Sequence, residues 1–128
     1  MSIRCIVVTP ERTELDCVAE SLILPMVDGA LGVLPGRAPM IGRLGYGTLR
    51  LETSAGPQRY YVDGGFAQVE NNTVSLLTGR SIAVDLLDVG EAETALAKAQ
   101  EMPANTPEKM QLKETAVARA RGQLRSAK

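Results

Sequence analysis

Up to about residue 85, apolar side chains recur along this chain at roughly every second position, and beyond it at every third or fourth. The first spacing puts side chains on alternate faces of strands, and the second lines one face of a helix. Ile3 to Val8 is a short β-branched run ended by Thr9-Pro10, which reads as a strand stopped by proline. Arg12–Leu15 and Cys17–Leu24 are expected to be the next two, with Val18, Leu22 and Leu24 sharing a face. Thr48–Thr53 alternates cleanly, Leu49 and Leu51 against Thr48, Arg50 and Glu52, which predicts a half-buried antiparallel strand. Ser54-Ala55-Gly56-Pro57 turns the chain back into Gln58–Val62. A second hairpin is expected from Phe66–Glu70 and Thr73–Thr78 around Asn71-Asn72, because asparagine tolerates positive φ.

The period then lengthens. Asp88 with Glu91 three residues on has the capping-box arrangement, and Ala92, Ala95, Leu96, Ala99 and Met102 follow at helical spacing. Pro103 ends this helix, Thr106-Pro107 restarts one, and Met110, Val117, Ala120 and Leu124 supply the second stripe. The chain therefore predicts a β plus α fold: a flattened β-sandwich or barrel of eight to ten strands over residues 1–85, then an antiparallel two-helix hairpin over residues 86–128. The hairpin is rich in alanine, so it buries little area per contact, and Gly122 weakens its second helix. A hairpin that moves readily between docked and extended arrangements and a permanently packed cap both fit these residues.

Glycine punctuates the strand region. Asp28 to Pro39 holds three glycines and two prolines, cannot be a regular helix, and is expected to be turn and edge. Asp63-Gly64-Gly65-Phe66 forms a second knot, and the glycines of Gly42-Arg43-Leu44-Gly45-Tyr46-Gly47 are expected to serve turns.

Composition narrows the chemistry. The length of 128 residues suits one compact domain, or one with a small appendage, and scarce aromatic residues make the core aliphatic. The net charge of −1 conceals an asymmetry: residues 106–128 carry 6 Lys/Arg against 2 Asp/Glu, and the rest carries 8 against 13. The near-balance of the whole argues against a nucleic-acid binder, and the basic tail points to an acidic partner. Cys5 and Cys17, with no histidine anywhere, complete no usual zinc site and read as two buried thiols in a reduced, cytosolic chain. No apolar run reaches the ~18 residues of a membrane span, and no basic segment followed by an apolar one opens the chain. Without histidine, Ser-His-Asp and Cys-His catalysis are excluded. Glu11, Glu14 and Asp16 cluster near an expected turn, where solvated charge accounts for them, and Gly29, Gly32 and Gly36 do not fit a P-loop. The residues alone support a β-sandwich binding or structural protein, with a free-standing ligand- or peptide-binding module as one form of it.

Three segments in order carry more: Val7-Val8-Thr9-Pro10-Glu11; Asp28-Gly29-Ala30-Leu31-Gly32-Val33-Leu34-Pro35-Gly36-Arg37-Ala38-Pro39-Met40; and Tyr61-Val62-Asp63-Gly64-Gly65-Phe66-Ala67-Gln68-Val69. Together they resemble the epsilon subunit of bacterial F-type ATP synthase and its chloroplast epsilon and mitochondrial delta counterparts, closely over residues 3–90. The resemblance implies a non-catalytic rotor subunit on the central stalk, bound to the gamma subunit and the c-ring. It also implies a peripheral place on the cytoplasmic face of the bacterial plasma membrane, or the equivalent organelle membrane. It assigns c-ring contact to Asp28, Gly29, Ala30 and Leu31, with Arg37 added; Ala30 stands where an acidic residue is common and Arg37 where histidine is usual. The helical hairpin is the family's regulatory part. In some members it extends into the catalytic hexamer of alpha and beta subunits and inhibits ATP hydrolysis, which implies beta-subunit contact for Arg119, Arg121 and Arg125. Some relatives bind ATP at the first helix; here Glu91 replaces the expected arginine within Leu87–Ala92, and a carboxylate repels phosphate, so no cofactor is expected.

Overall fold

The computed structural model describes residues 2–127. Eight strands come first: β1 (Ile3–Val8), β2 (Thr13–Ala19), β3 (Ser21–Met26), β4 (Gly29–Val33), β5 (Met40–Thr53), β6 (Gly56–Glu70), β7 (Thr73–Leu77) and β8 (Ser81–Ala83). A 3₁₀ turn at Val84–Leu86 leads to helices α1 (Val89–Gln100) and α2 (Pro107–Ser126). The strands hydrogen-bond in the order β2-β1-β7-β6-β5-β3-β4, with β8 also on β6; β1 and β7 run parallel and every other pair antiparallel.

This one path folds over on itself because β5 and β6 bend together. Their register passes from Leu44↔Gly65 to Tyr46↔Asp63, stepping over Gly45 and Gly64. Gly64 and Gly65 hold φ of +69° and +107° there, which re-aims the strand without ending it or shifting its register. On one side of this corner β6 pairs with β7, which leads to β1 and β2. On the other side β5 pairs with β3, then β4, and β6 pairs with β8. Two layers result, and they share two unbroken strands. Cys5, Val7, Val74 and Leu76 from the first pack against Leu22, Leu24, Leu49, Leu51 and Val62 from the second in one aliphatic core.

The corner corrects two sequence expectations. The glycines of 42–47 and the knot at 63–66 lie inside the two longest strands and not in turns between short ones. The strand break expected at Asp16 falls instead at Glu20, between β2 and β3. Asp16 stays within β2, opposite Ile6 in a ladder with β1 that runs without a shift from Ile3 to Val7, and its exposed carboxylate pairs with Arg4 at 2.8 Å, a contact that holds it below the usual carboxylate range. Asn71 and Asn72 take φ of 49° and 58° and close the β6–β7 hairpin as expected. Asp28 to Pro39 contains a short strand, β4, at the edge of the sheet.

Cys5 and Cys17 stand directly opposite each other on β1 and β2 as free thiols, Cys5 buried and Cys17 half-buried. Burial, reinforced by Cys17 and Asp16, pushes the Cys5 thiol up to about 12 from its ordinary 9. The folded chain therefore keeps a proton that the unfolded chain releases near pH 9. The corresponding stability is complete below pH 9 and is lost as pH rises toward 12, at up to ~1.4 kcal/mol per pH unit from this group. Urea titrations at pH 8, 9.5 and 11 are expected to show a falling midpoint, with a shallower fall for Cys5→Ala.

Both helix starts follow the sequence. Asp88 accepts from the Glu91 N–H at 3.0 Å, and Thr106 accepts from the Lys109 N–H at 3.2 Å, with Pro107 in the first turn. Ala92 and Ala99 of α1 are buried, and α2 rather than α1 makes the main contact with the sheet, on β5 and β6. Met110, expected in the buried stripe of α2, is exposed, because the sheet contacts come from the last turns of that helix. No helix among the described residues is long and apolar enough to cross a membrane.

Candidate functional site

The sandwich has two outer faces, and the sequence treats them differently. On the layer formed with β3 and β8, Tyr46, Thr48, Tyr61 and Asp63 point outward from β5 and β6, paired as Tyr46↔Asp63 and Thr48↔Tyr61. Successive residues of a strand face opposite ways, yet Tyr61 and Val62 are both fully buried. Val62 enters the core, and Tyr61 is covered by α2.

The contact is polar and specific. Asp63 Oδ1 accepts from Arg119 Nε at 2.9 Å and from the Tyr61 hydroxyl at 2.9 Å, and its side chain is only 11% exposed. The Arg119 guanidinium also lies 5.7 Å from the centre of the Tyr46 ring, within cation–π range. Burial alone would loosen the Arg119 proton, but the Asp63 hydrogen bond and charge outweigh it and raise the pKa. Burial pushes the Tyr61 hydroxyl up as well, with the Asp63 charge adding to it. Further along, Ser126 and Thr48 hydroxyls meet at 2.7 Å, and Arg125 donates to the Tyr46 carbonyl at 3.4 Å. Between them Gly122 is buried so tightly that a Cβ there would lie 2.5 Å from the Tyr46 carbonyl oxygen. The glycine that weakens α2 as a helix is the residue that lets it reach the sheet.

The opposite outer face, on the layer formed with β7 and β1, is open. Phe66 and Leu77 stand directly across from each other, 54% and 58% exposed, with Arg43 on the other side of Phe66. Ile41, 74% exposed, lies two residues along β5 on the same face, and Ile6 and Val8 of β1 continue it half-buried. Phe66, Leu77 and Val8 thus form one apolar row across three strands, with Ile41 and Ile6 at the two ends of the next row and Gln68 and Ser75 between them.

The residues that the sequence singled out are distributed over three places. Asp28 lies in the exposed turn between β3 and β4, Gly29 and Ala30 are the exposed first residues of β4, and Leu31 is half-buried against the core, opposite Leu24. Arg37 lies past the far end of β4, on the order of 13 Å along the strand from Gly29. It closes a tight turn in which its N–H donates to the Leu34 carbonyl at 3.3 Å, with Pro35 and Gly36 (φ +86°) at the centre. Its guanidinium donates to the Gly32 carbonyl at 3.4 Å, and Gly36 is tied to Asn72 at 2.7 Å. Arg119 and Arg125 sit in the docking contact, while Arg121 is exposed on α2. Glu91 is exposed in the first turn of α1. Sequence reasoning missed Tyr46, Tyr61 and Asp63 as partners of α2. The spacing of Tyr61 and Asp63 puts them on one face, but nothing local links them to a helix more than fifty residues away.

The polar groups that converge from β5, β6 and α2 hold a helix on the sheet, and the opposite face carries exposed apolar side chains, an arrangement suited to a component that binds other proteins. The family model for the beta-sandwich domain of the ATP synthase delta/epsilon chain matches residues 2–84. The ATP synthase epsilon chain of Rhodopirellula baltica is 66% identical over 128 residues, all of both chains. That of Synechococcus elongatus is 41% identical over 101 residues, 79% of this chain and 74% of the relative. Among solved structures, a chain of the Tetrahymena thermophila mitochondrial ATP synthase central stalk and c-ring superposes with a TM-score of 0.78 at 12% identity, covering 100% of this chain and 98% of that one. A chain of the Euglena gracilis mitochondrial enzyme gives 0.83 at 21% identity, covering 94% and 78%. This chain belongs to the ATP synthase epsilon chain family and is a subunit without catalytic activity of its own.

Proposed function

We propose that this subunit joins the gamma subunit to the c-ring on the central stalk of a rotary ATP synthase, peripheral to the cytoplasmic face of the membrane. The observation that carries the reading is the open apolar face of Ile41, Phe66 and Leu77. It lies opposite the face that α2 covers, and an exposed apolar surface of this kind marks a protein interface. Gamma docks on that face, with Arg43 at its rim. The Asp28–Ala30 segment meets the polar loops of the c-ring, and Arg37, at the other end of β4, makes a second contact with the rotor. Residues 1–85 act as the binding module and residues 86–128 as a regulatory unit. Released from the sheet, the hairpin offers Arg119, Arg121 and Arg125 to acidic beta-subunit surface between the alpha and beta subunits and slows ATP hydrolysis. Support comes from the family membership and from the basic character of α2.

Phe66→Glu and Leu77→Glu test the gamma contact. Both positions are exposed, so the fold is expected to persist by circular dichroism, while affinity for gamma falls about 30-fold or more, as for a central interface residue. Unchanged binding by both variants, measured by calorimetry, would remove the open face as the gamma site.

A further inference from the structure

The docking contact uses the same side chain that the regulatory reading needs free. Arg119 has its Nε on Asp63 Oδ1 at 2.9 Å and its planar group near the Tyr46 ring, so its charge is already paired while α2 lies on the sheet. Asp63 is in turn fixed from behind: its N–H donates to Thr78 Oγ1 at 3.0 Å, and the Tyr61 hydroxyl donates to the same carboxylate oxygen that Arg119 uses. Such a carboxylate is a preorganised receptor for one guanidinium. It also sits midway along β6, at the corner with β5 and far from either end of that strand, so its own backbone is held by the sheet.

We infer that Asp63 is an internal competitor for Arg119: it stands in for the partner carboxylate that receives Arg119 once the hairpin is released, and so sets how readily the hairpin leaves. This rests on the reading of the hairpin as a brake on hydrolysis. The two contacts exclude each other because Arg119 reaches Asp63 only while α2 lies on the sheet, whereas the partner contact needs α2 released. Removing the internal carboxylate therefore differs from removing the arginine. Asp63→Asn loosens docking and leaves Arg119 available. Arg119→Gln loosens docking and removes the partner contact as well.

Two measurements on the full-length chain separate the possibilities. Amide exchange over residues 119–126 in the free subunit is expected to quicken on the order of tenfold in both variants, the loss of a charged hydrogen bond. With a catalytic assembly of alpha, beta and gamma subunits, Asp63→Asn is expected to inhibit ATP hydrolysis more strongly than the natural chain, and Arg119→Gln less than Asp63→Asn. Unaltered exchange in Asp63→Asn would overturn the competitor role, and so would equal inhibition by the two variants. If exchange quickens as expected but neither the natural chain nor Asp63→Asn slows hydrolysis, the brake reading fails, and the shared contact fails with it.

Discussion

Gly65→Ala is expected to destabilise the sandwich by about 4 kcal/mol or more, among the largest effects available to a single methyl group. The backbone at Gly65 has φ +107°, where L side chains rarely go, and an added Cβ would overlap the Leu77 carbonyl on the neighbouring strand. Neither backbone can yield cheaply, because Phe66↔Leu77 begins the β6–β7 ladder and Leu44↔Gly65 sits at the corner. Gly64→Ala provides the comparison. Its φ of +69° lies in the ordinary left-handed region, and its Cβ would meet only the Tyr46 ring, at 3.5 Å. A cost of about 1–2 kcal/mol is expected there. Denaturant titrations of both variants decide the matter, and equal losses at the two positions would mean that the close approach to Leu77 contributes nothing.

Gly122→Ala is expected to detach α2 while leaving the sandwich folded. Alanine raises intrinsic helix propensity by about 1 kcal/mol over glycine, so the helix itself is favoured. Its Cβ, however, would lie 2.5 Å from the Tyr46 carbonyl oxygen and 2.9 Å from the Tyr46 Cβ, with strand backbone unable to withdraw. The helix must lift, which also breaks the Ser126–Thr48 pair and the Arg119–Asp63 bridge on either side. NMR of the full-length chain is expected to shift Thr48 and Tyr61 strongly while the methyl signals of Ile3, Leu49 and Val74 hold. Retention of the Thr48 and Tyr61 signals would show that the sheet accommodates the methyl group. A substitution that improves a helix and undocks it separates local preference from tertiary fit.

These two glycines also mark where the sequence was hardest to read. The change of period near residue 85 located the hairpin, and clean alternation at Thr48–Thr53 gave a true part of β5, because local spacing is a local signal. The caps at Asp88 and Thr106 were legible for the same reason. A glycine within a strand looks like a turn in sequence, so the corner at Gly45, Gly64 and Gly65 was read as connections between separate strands. The turn-and-edge character of Asp28–Pro39 was visible from its glycines and prolines, but the separation of Arg37 from Asp28 by the length of β4 was not. Docking was hidden most deeply. Asp63 and Arg119 meet only because the corner and the hairpin bring distant segments together, and a glycine in an alanine-rich helix carries a cost in sequence and a purpose only in contact.

The corner has a mechanical meaning. Because β5 and β6 pass through it without a break, the open face with Phe66 and the covered face with Asp63 are parts of the same two strands, three residues apart on β6. A load applied to one layer reaches the other through covalent backbone and paired hydrogen bonds, with no flexible loop in series to absorb it. The two layers cannot shear past each other at this edge. The joint proposed between gamma and the c-ring needs that torsional stiffness, and two long strands bent around a pair of glycines supply it.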